Sequence, residues 1–573
     1  MKSETKNCQN CKKDFTIEPD DFGFYEKINV PPPTFCPECR YQRRLSNRNE
    51  WNFYKRDCSL CNKSVVSIYN ENYLGPVYCQ PCYWSDEWDT LDYGRDFDFS
   101  RPFFEQYKEH RFSVPRMALT NRNSVNSEYT NQANDNKNCY MIEASGFNQS
   151  CLYGNWYMKS NECMDCWSAE ECELLYECLA CFKCYKSAWL DTALDCSECY
   201  FGSDLRGCSN CFGCVGLRGK SYSWFNEQLS KNEYENRFKA IEWSRKNIEK
   251  NFRKMRKLRL KLPVKYYHGS STKNCSGDYV GFSKNTHNAF NCFRNENLNY
   301  AQDAREAKEC MDLTETYDNT FDYEAEGTGW GQNNISVSKK WNGSDVFYSE
   351  LIFSSDYIFG CVSLINKKYC IFNKQYHPED WKVMKNRIVE HMKKTGEWGE
   401  FFPTSISPFS YNESVVQEYF PLTKEQALSK GYKWYDRPER NYSVNLTYNK
   451  LPKLIHLVDN SILEKIIKCK SQFIKKDQEQ YTGCTTAFRI TQEELRLYRK
   501  MGIPLPGKCQ ACRRFDRLSL RTPRKLWHRT CMCDKTNHPN HLDIGCPSEF
   551  ETSYAPDRLE IVYCEKCYQQ EVY

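Results

Sequence analysis

The sequence predicts a multidomain, mainly β protein in which two copies of a double metal-knuckle module enclose two cysteine-phased, β-solenoid-like arms, each followed by a helix. Three observations predict it. Cysteines at the two ends of the chain recur at matching intervals, thirteen cysteines in the middle share one register modulo three, and the segment closing that register, residues 212–226, returns 147 positions later as residues 359–373. A chain of 573 residues is too long for one core. The divisions expected are a module at 1–90, a linker or cap at 91–135, a first arm at 136–226, a helix at 227–262, a second arm at 263–373, a helix at 374–396, an aromatic connector at 397–460 and a module at 461–573.

The totals narrow the function classes. Lys+Arg exceeds Asp+Glu only by 80 to 75, so any nucleic-acid footprint has to be a local patch. The start, Met1-Lys-Ser-Glu-Thr-Lys6, lacks an apolar signal region, so the 35 cysteines are expected to stay reduced in a cytoplasm, where paired thiols at fixed spacing mean metal. No run of eighteen apolar residues is present, and no membrane span is predicted.

The first module carries four Cys-x-x-Cys pairs. Each such turn presents two thiolates from one knuckle, and four thiolates close a tetrahedral structural zinc site. Pairing in order gives Cys8, Cys11, Cys36 and Cys39 as one site, and Cys58, Cys61, Cys79 and Cys82 as the next. The C-terminal module repeats the plan: 25 positions separate Cys11 from Cys36 and Cys484 from Cys509, and 18 separate Cys61 from Cys79 and Cys546 from Cys564. Both of its first knuckles have gained twelve residues, so the partner of Cys484 is Cys469, 15 positions upstream. The sites become Cys469, Cys484, Cys509, Cys512 and Cys531, Cys546, Cys564, Cys567, about four zinc ions per chain. Cys533, His538 and His541 lie in the second insertion as substitute ligands, a minor site or loop decoration.

The runs Cys8-Gln-Asn-Cys11-Lys-Lys-Asp-Phe15-Thr-Ile17, Phe24-Tyr25-Glu-Lys27 and Pro33-Thr-Phe-Cys36-Pro-Glu-Cys39-Arg40-Tyr-Gln-Arg43-Arg44 resemble the probable zinc-ribbon domains, treble-clef-like fingers common in bacteria. The resemblance covers a short stretch at each end, implies a zinc fold and carries no activity. The whole layout is similar to multi-zinc-ribbon proteins of uncultivated small-genome bacteria, which brings no activity either.

Arg40, Arg43, Arg44 and Arg48 follow the second knuckle, and Arg513, Arg514, Arg517, Arg521, Arg524 and Lys525 occupy the same segment of the other module. They read either as phosphate contacts or as a solvated face that supplies hydrogen bonds to thiolates.

In the first arm Cys139, Cys151, Cys163, Cys166, Cys172, Cys178, Cys181, Cys184, Cys196, Cys199, Cys208, Cys211 and Cys214 fall in one register, continued by small or apolar residues such as Ile142, Gly154, Ala169 and Leu190. A helix repeats at 3.6 and a strand at 2, so a period of three predicts a solenoid with cysteine stacked along its interior. The Cys-x-x-Cys-x-x-Cys triplets at 178–184 and 208–214 keep an iron–sulfur redox reading open. The second arm has fewer cysteines and more Asn, Tyr and Asp, which predicts an interior less lined by thiols.

Residues 226–262 read as one amphipathic helix with Phe238, Ile241, Ile248, Phe252 and Met255 on one stripe and a dense run of cations, Arg245, Lys246, Lys250, Arg253, Lys254, Arg256, Lys257, Arg259 and Lys261, around it. That run is a solvated face, a phosphate-binding face or a contact for an acidic protein. Residues 378–394 form a shorter helix, and Thr423 with Gln426 makes a capping box for another. No Walker loop, nucleophile elbow or zincin motif occurs, so the expected protein is a non-enzymatic zinc protein that binds RNA, DNA or the ribosome, or serves as a protein scaffold through its solenoid faces.

Overall fold

The computed structural model describes residues 2–572 apart from 440, 474–482, 537–540 and 542–544. Each arm is a β-solenoid whose coil contains twelve residues. Tyr140 pairs in parallel with Leu152, Leu298 with Cys310 and Ile335 with Phe347, all twelve apart. The bends come from the backbone: nearly every third residue has φ near +50°, from Asn123 to Phe225 and again from Tyr279 to Phe372. A left-handed residue costs an L-amino acid about 1–2 kcal/mol, and Asn tolerates it best. Hence the Asn of the second arm, where Asn285 donates to Asn297 (2.9 Å) and Asn291 to Asp303 (2.6 Å), one coil to the next.

Two backbone N–H groups of each triplet join the ladder between coils, as when Asn138 N–H donates to Val125 O and Lys137 N–H to Asn148 O. The third points inward. Where the inward side chain one coil earlier carries an acceptor, that side chain meets it: Cys151 N–H by Cys139 Sγ (3.5 Å), Cys172 N–H by Ser160 Oγ (3.3 Å), Ser160 N–H by Asn148 Oδ1 (2.9 Å) and Asp322 N–H by Cys310 Sγ (3.3 Å). Leaving such a donor unmet costs about 1–3 kcal/mol. Cysteine fills the interior because it is a small hydrophobe that also accepts here and donates its S–H to a carbonyl two residues back, as Cys163 does to Asn161 O (3.4 Å). Every thiol of the two Cys-x-x-Cys-x-x-Cys triplets donates to backbone carbonyls in this way. Burial pushes the Cys292 thiol up to about 12 and Cys310 and Cys361 well above the ordinary thiol value, so these groups stay protonated.

The interior register runs through the second arm as well, on Ala289, Leu298, Ala304, Leu313, Ala325, Val337, Ile352 and Leu364 with the thiols of Cys292, Cys310, Cys361 and Cys370. A bulge between Cys275 and Gly277 sets this phase. Gly277 has φ +127°, and a Cβ there would lie 1.7 Å from Ala289 O.

The first arm starts earlier than expected. Its ladder begins with Asn121–Arg122 against Ala133–Asn134, so 120–135 belongs to the solenoid and only 91–119 is connection. In place of one helix over 226–262 there are two, Lys231–Lys239 and Arg245–Arg259. Ser230 and Ser244 cap them, and between them Trp243 stacks on Trp189 of the first arm (6.1 Å). The later helices match, at Pro378–Thr395 and Lys424–Ser429.

The arms lie side by side and antiparallel. Arg305 pairs with Glu170 (2.7 Å), Thr192 hydrogen-bonds to Tyr279 (3.2 Å), and Arg48 stands between Glu143 of the first arm and Glu326 of the second. Asn226 and Asn373 close the ends of their arms identically, each accepting from a backbone N–H eleven residues earlier, Val215 and Val362.

On the second of these caps lies the Phe103–Ser113 helix, whose buried His110 places Nε2 3.0 Å from Asn373 Oδ1. Burial lowers its pKa from 6.5 to about 4. The unfolded chain therefore takes up this proton first: the stabilisation is complete above pH 6.5 and is lost, by about 3 kcal/mol, as pH falls through 4. Unfolding free energies of wild type and His110→Gln measured between pH 7 and 4.5 should converge with acid, with the glutamine variant giving the flatter profile.

Candidate metal centres

Each of the four cysteine sets predicted from spacing converges: Cys8, Cys11, Cys36, Cys39; Cys58, Cys61, Cys79, Cys82; Cys469, Cys484, Cys509, Cys512; and Cys531, Cys546, Cys564, Cys567, with Sγ atoms within 4.8 Å of one another in each. Neighbouring sulfurs stand at 3.7 Å (Cys11 and Cys36), 3.9 Å (Cys61 and Cys79), 3.9 Å (Cys469 and Cys512) and 3.8 Å (Cys546 and Cys564). A disulfide brings sulfurs to about 2.05 Å, so these are open thiol sets of a size to hold an ion.

The local fold makes each set. A hairpin, Glu4–Asn7 with Asp14–Ile17 or Tyr54–Asp57 with Ser64–Ser67, ends in the first knuckle, where Cys8 N–H donates to Lys13 O and Cys58 N–H to Lys63 O. Lys12 and Asn62 take φ +62° and +57° to complete the turn. In the C-terminal module the same contact spans the insertion, from Cys469 N–H to Thr486 O and from Cys531 N–H to Ser548 O. The extra residues leave the sulfur in place, which is why Cys469 does the work of Cys8.

The second knuckle opens a helix. Cys36, Cys79 and Cys509 are the residues preceding Pro37–Leu45, Gln80–Tyr83 and Gln510–Leu518. Their N–H groups donate to the first sulfur of each set, Cys36 to Cys8 (3.2 Å), Cys79 to Cys58 (3.2 Å), Cys509 to Cys469 (3.3 Å) and Cys564 to Cys531 (3.2 Å). Helix N-termini and N–H···S bonds favour the thiolate. Hydrogen bonding to Cys39 lowers Cys36 to about 5, and bonding to Cys484 lowers Cys469 to about 7.

The arginine segments do not face solvent. Arg40 Nε pairs with Asp312 (2.8 Å), Arg43 with Glu324 (2.8 Å) and Glu400 (2.7 Å), Arg44 with Asp312 (3.1 Å) and Glu324 (2.7 Å), and Arg48 with Glu50 (2.6 Å), Glu143 and Glu326; all four are buried. Arg513 and Arg517 pair with Asp165 at 2.8 and 3.0 Å, Arg514 with Glu418, and Arg524 with Asp303. Arg521 lies over Trp167 (4.6 Å), and only Lys525, beside Glu38, is exposed. The expectation that these guanidiniums contact phosphate is corrected: each module docks them into an arm. A buried arginine cannot reach a phosphate, and its desolvation has to be offset by carboxylates already in place.

The arginine helices dock on the arm remote in sequence order, Pro37–Leu45 on Asp312 and Glu324 of the second arm and Gln510–Leu518 on Asp165 of the first, while Arg48 also reaches Glu143 of the first arm and Arg524 reaches Asp303 of the second. The two docks are copies. Asp312 and Asp165 are 147 apart, as are Tyr300 and Tyr153, which lie under Arg40 (5.2 Å) and Arg513 (5.3 Å) and bond to Asp21 (3.1 Å) and Glu494 (2.9 Å). Sequence reasoning missed these acids, although the 147-residue repeat that aligns the arms also aligns them.

On the basic helix Arg245 donates to the carbonyls of Leu451 and Pro452, Lys254 lies 3.7 Å from the Phe225 ring centre and Arg259 pairs with Asp191. Lys246, Lys250, Arg253, Arg256 and Lys257 are exposed. The helix borders a cleft of about 1110 Å³ lined by Tyr176, Trp189, Phe252, Lys246, Lys250 and Lys453. Near the fourth set, Cys533 and His541 approach Cys567; His538 lies outside the described residues. Among the described residues no helix is long and apolar enough to cross a membrane. No protein-family model matches the chain, and no curated protein matches it.

Proposed function

We propose that this chain is a non-enzymatic, zinc-stabilised scaffold whose external ligand is nucleic acid, RNA or a ribosomal surface in first place, held along the outer face of the Arg245–Arg259 helix and the cleft beside it. Zinc suits the four thiol sets: a tetrahedron of thiolates at about 2.3 Å places sulfurs about 3.8 Å apart, against neighbouring pairs at 3.7 to 4.0 Å, at least one in each set. The observation that carries the ligand is the row of Lys246, Lys250, Arg253, Arg256 and Lys257, exposed along one helix, while Arg40, Arg43, Arg44, Arg48, Arg513, Arg514, Arg517 and Arg524 of the modules are spent on internal carboxylates.

The test is retention of single-stranded and structured RNA by the purified protein across a salt series. Five phosphate contacts give a slope of log K on log salt of about −3.5 for single strands, and the variant Lys246→Glu, Lys250→Glu, Arg253→Glu, Lys257→Glu should lose binding at least tenfold. Partners captured without any salt-dependent nucleic acid would favour a protein scaffold instead. Metal analysis by mass spectrometry checks the cofactor: iron with visible charge-transfer bands would point to a cluster chemistry in place of zinc.

A further inference from the structure

We propose that the C-terminal module holds a second metal ion beside its fourth cysteine set, bound by Cys533, His541 and a Cys567 thiolate shared between the two ions. The proposal rests on the reading of the four cysteine sets as metal centres.

The geometry places one ligand atom from each of Cys533, His541 and Cys567 within 4.8 Å of the others, all three buried. Cys567 belongs equally to the set of Cys531, Cys546 and Cys564. Two overlapping ligand sets that meet at one sulfur describe a thiolate bridge, which a sulfur with three lone pairs can make. Cys533 stands two residues past Cys531, and its carbonyl accepts from Cys546 N–H (3.1 Å), which ties it to the fourth set.

The comparison between insertions singles this site out. Both C-terminal knuckles are expanded by twelve residues relative to Cys8–Cys11 and Cys58–Cys61, yet residues 470–483 contain neither Cys nor His, whereas 532–545 contain Cys533, His538 and His541. Length alone is thus sufficient to bridge the knuckle, and the ligand residues are an addition specific to the fourth set.

Charge favours the second ion. Four thiolates around one divalent ion leave two negative charges in a buried place, and a fifth buried thiolate would raise that to three. A second divalent ion, with neutral imidazole, brings the six-ligand cluster to a single negative charge, which lowers the cost of burial. Two sulfurs and an imidazole suit zinc. Three protein ligands leave one tetrahedral position for water or an exogenous donor, so this ion differs from the closed four-thiolate sites in being exchangeable.

Metal counting on the full-length protein tests this. Wild type should carry about five ions per chain, the Cys533→Ser, His541→Ala double variant about four, and Cys567→Ser, which removes the bridge, about three. A chromogenic chelator should release one ion from wild type in a fast phase that the double variant lacks, a readout that needs no variant to fold perfectly. Four ions in wild type and double variant alike, without a fast phase, would overturn the second ion and leave the four-set reading standing. A loss of only one ion in Cys567→Ser would overturn the bridge, and protein with no bound metal would overturn both readings.

Discussion

Replacing Asp165 or Asp312 by alanine is expected to cost the protein about 3–5 kcal/mol in each case, the largest effect of any single side chain outside the metal sets. Asp312 receives Arg40 and Arg44, and Asp165 receives Arg513 and Arg517, at 2.8 to 3.1 Å with the carboxylates fully buried. Removing either carboxylate takes the shared acceptor from two guanidiniums where water cannot reach them and strands one of the two. The two variants should fall by similar amounts in urea unfolding, because the docks are copies related by the same offsets. Each dock keeps one secondary acceptor, Glu324 for Arg44 and Glu494 for Arg513, which leaves Arg40 and Arg517 as the guanidiniums without a carboxylate in the two variants. Proteolysis should then release the N-terminal module in Asp312→Ala and the C-terminal module in Asp165→Ala; a protein as stable as wild type would show that the docks do not hold the modules.

Stripping the metals should have the second large effect, confined to the modules. Structural zinc contributes about 10–16 kcal/mol per site in small fingers, and each module is built of short hairpins and helices around its thiols. The arms keep their own ladder of coil-to-coil hydrogen bonds. Hydrogen exchange after chelation should therefore lose protection over the Pro37–Leu45 and Gln510–Leu518 helices while the solenoid interior remains protected. Cys469→Ser should by itself remove about one ion, and an unchanged count would refute its place beside Cys484.

The ligand sets were legible because a thiol set needs only spacing: the doubled intervals named all sixteen cysteines, Cys469 included. The period of three was legible for the same reason, and it holds in the structure as one inward residue per side of a twelve-residue coil. What the sequence concealed was long-range. The arginine runs looked like phosphate contacts because their carboxylate partners lie hundreds of residues away. The left-handed residue in each triplet leaves only a faint trace in composition, the excess of Asn and Asp at one phase of the second arm, since Tyr153, Trp189 and Phe201 adopt it as well. The break in the basic helix was signalled by Ser244, an N-cap that the continuing charge pattern masked.

The crossed docking has a consequence for biosynthesis. Arg44 emerges from the ribosome 268 residues before Asp312, which at about 5–20 residues per second is a wait of some 13 to 54 s. Throughout that interval the first module can take its metal, but its most hydrophobically destined face is a bare patch of guanidinium groups, open to any polyanion nearby. The C-terminal module meets a finished first arm the moment it is made. The nascent chain is thus asymmetric in time where the finished molecule is nearly symmetric in space, and a pause or truncation before the second arm would leave a module whose Arg40 and Arg44 lack the Asp312 carboxylate that receives them in the finished protein.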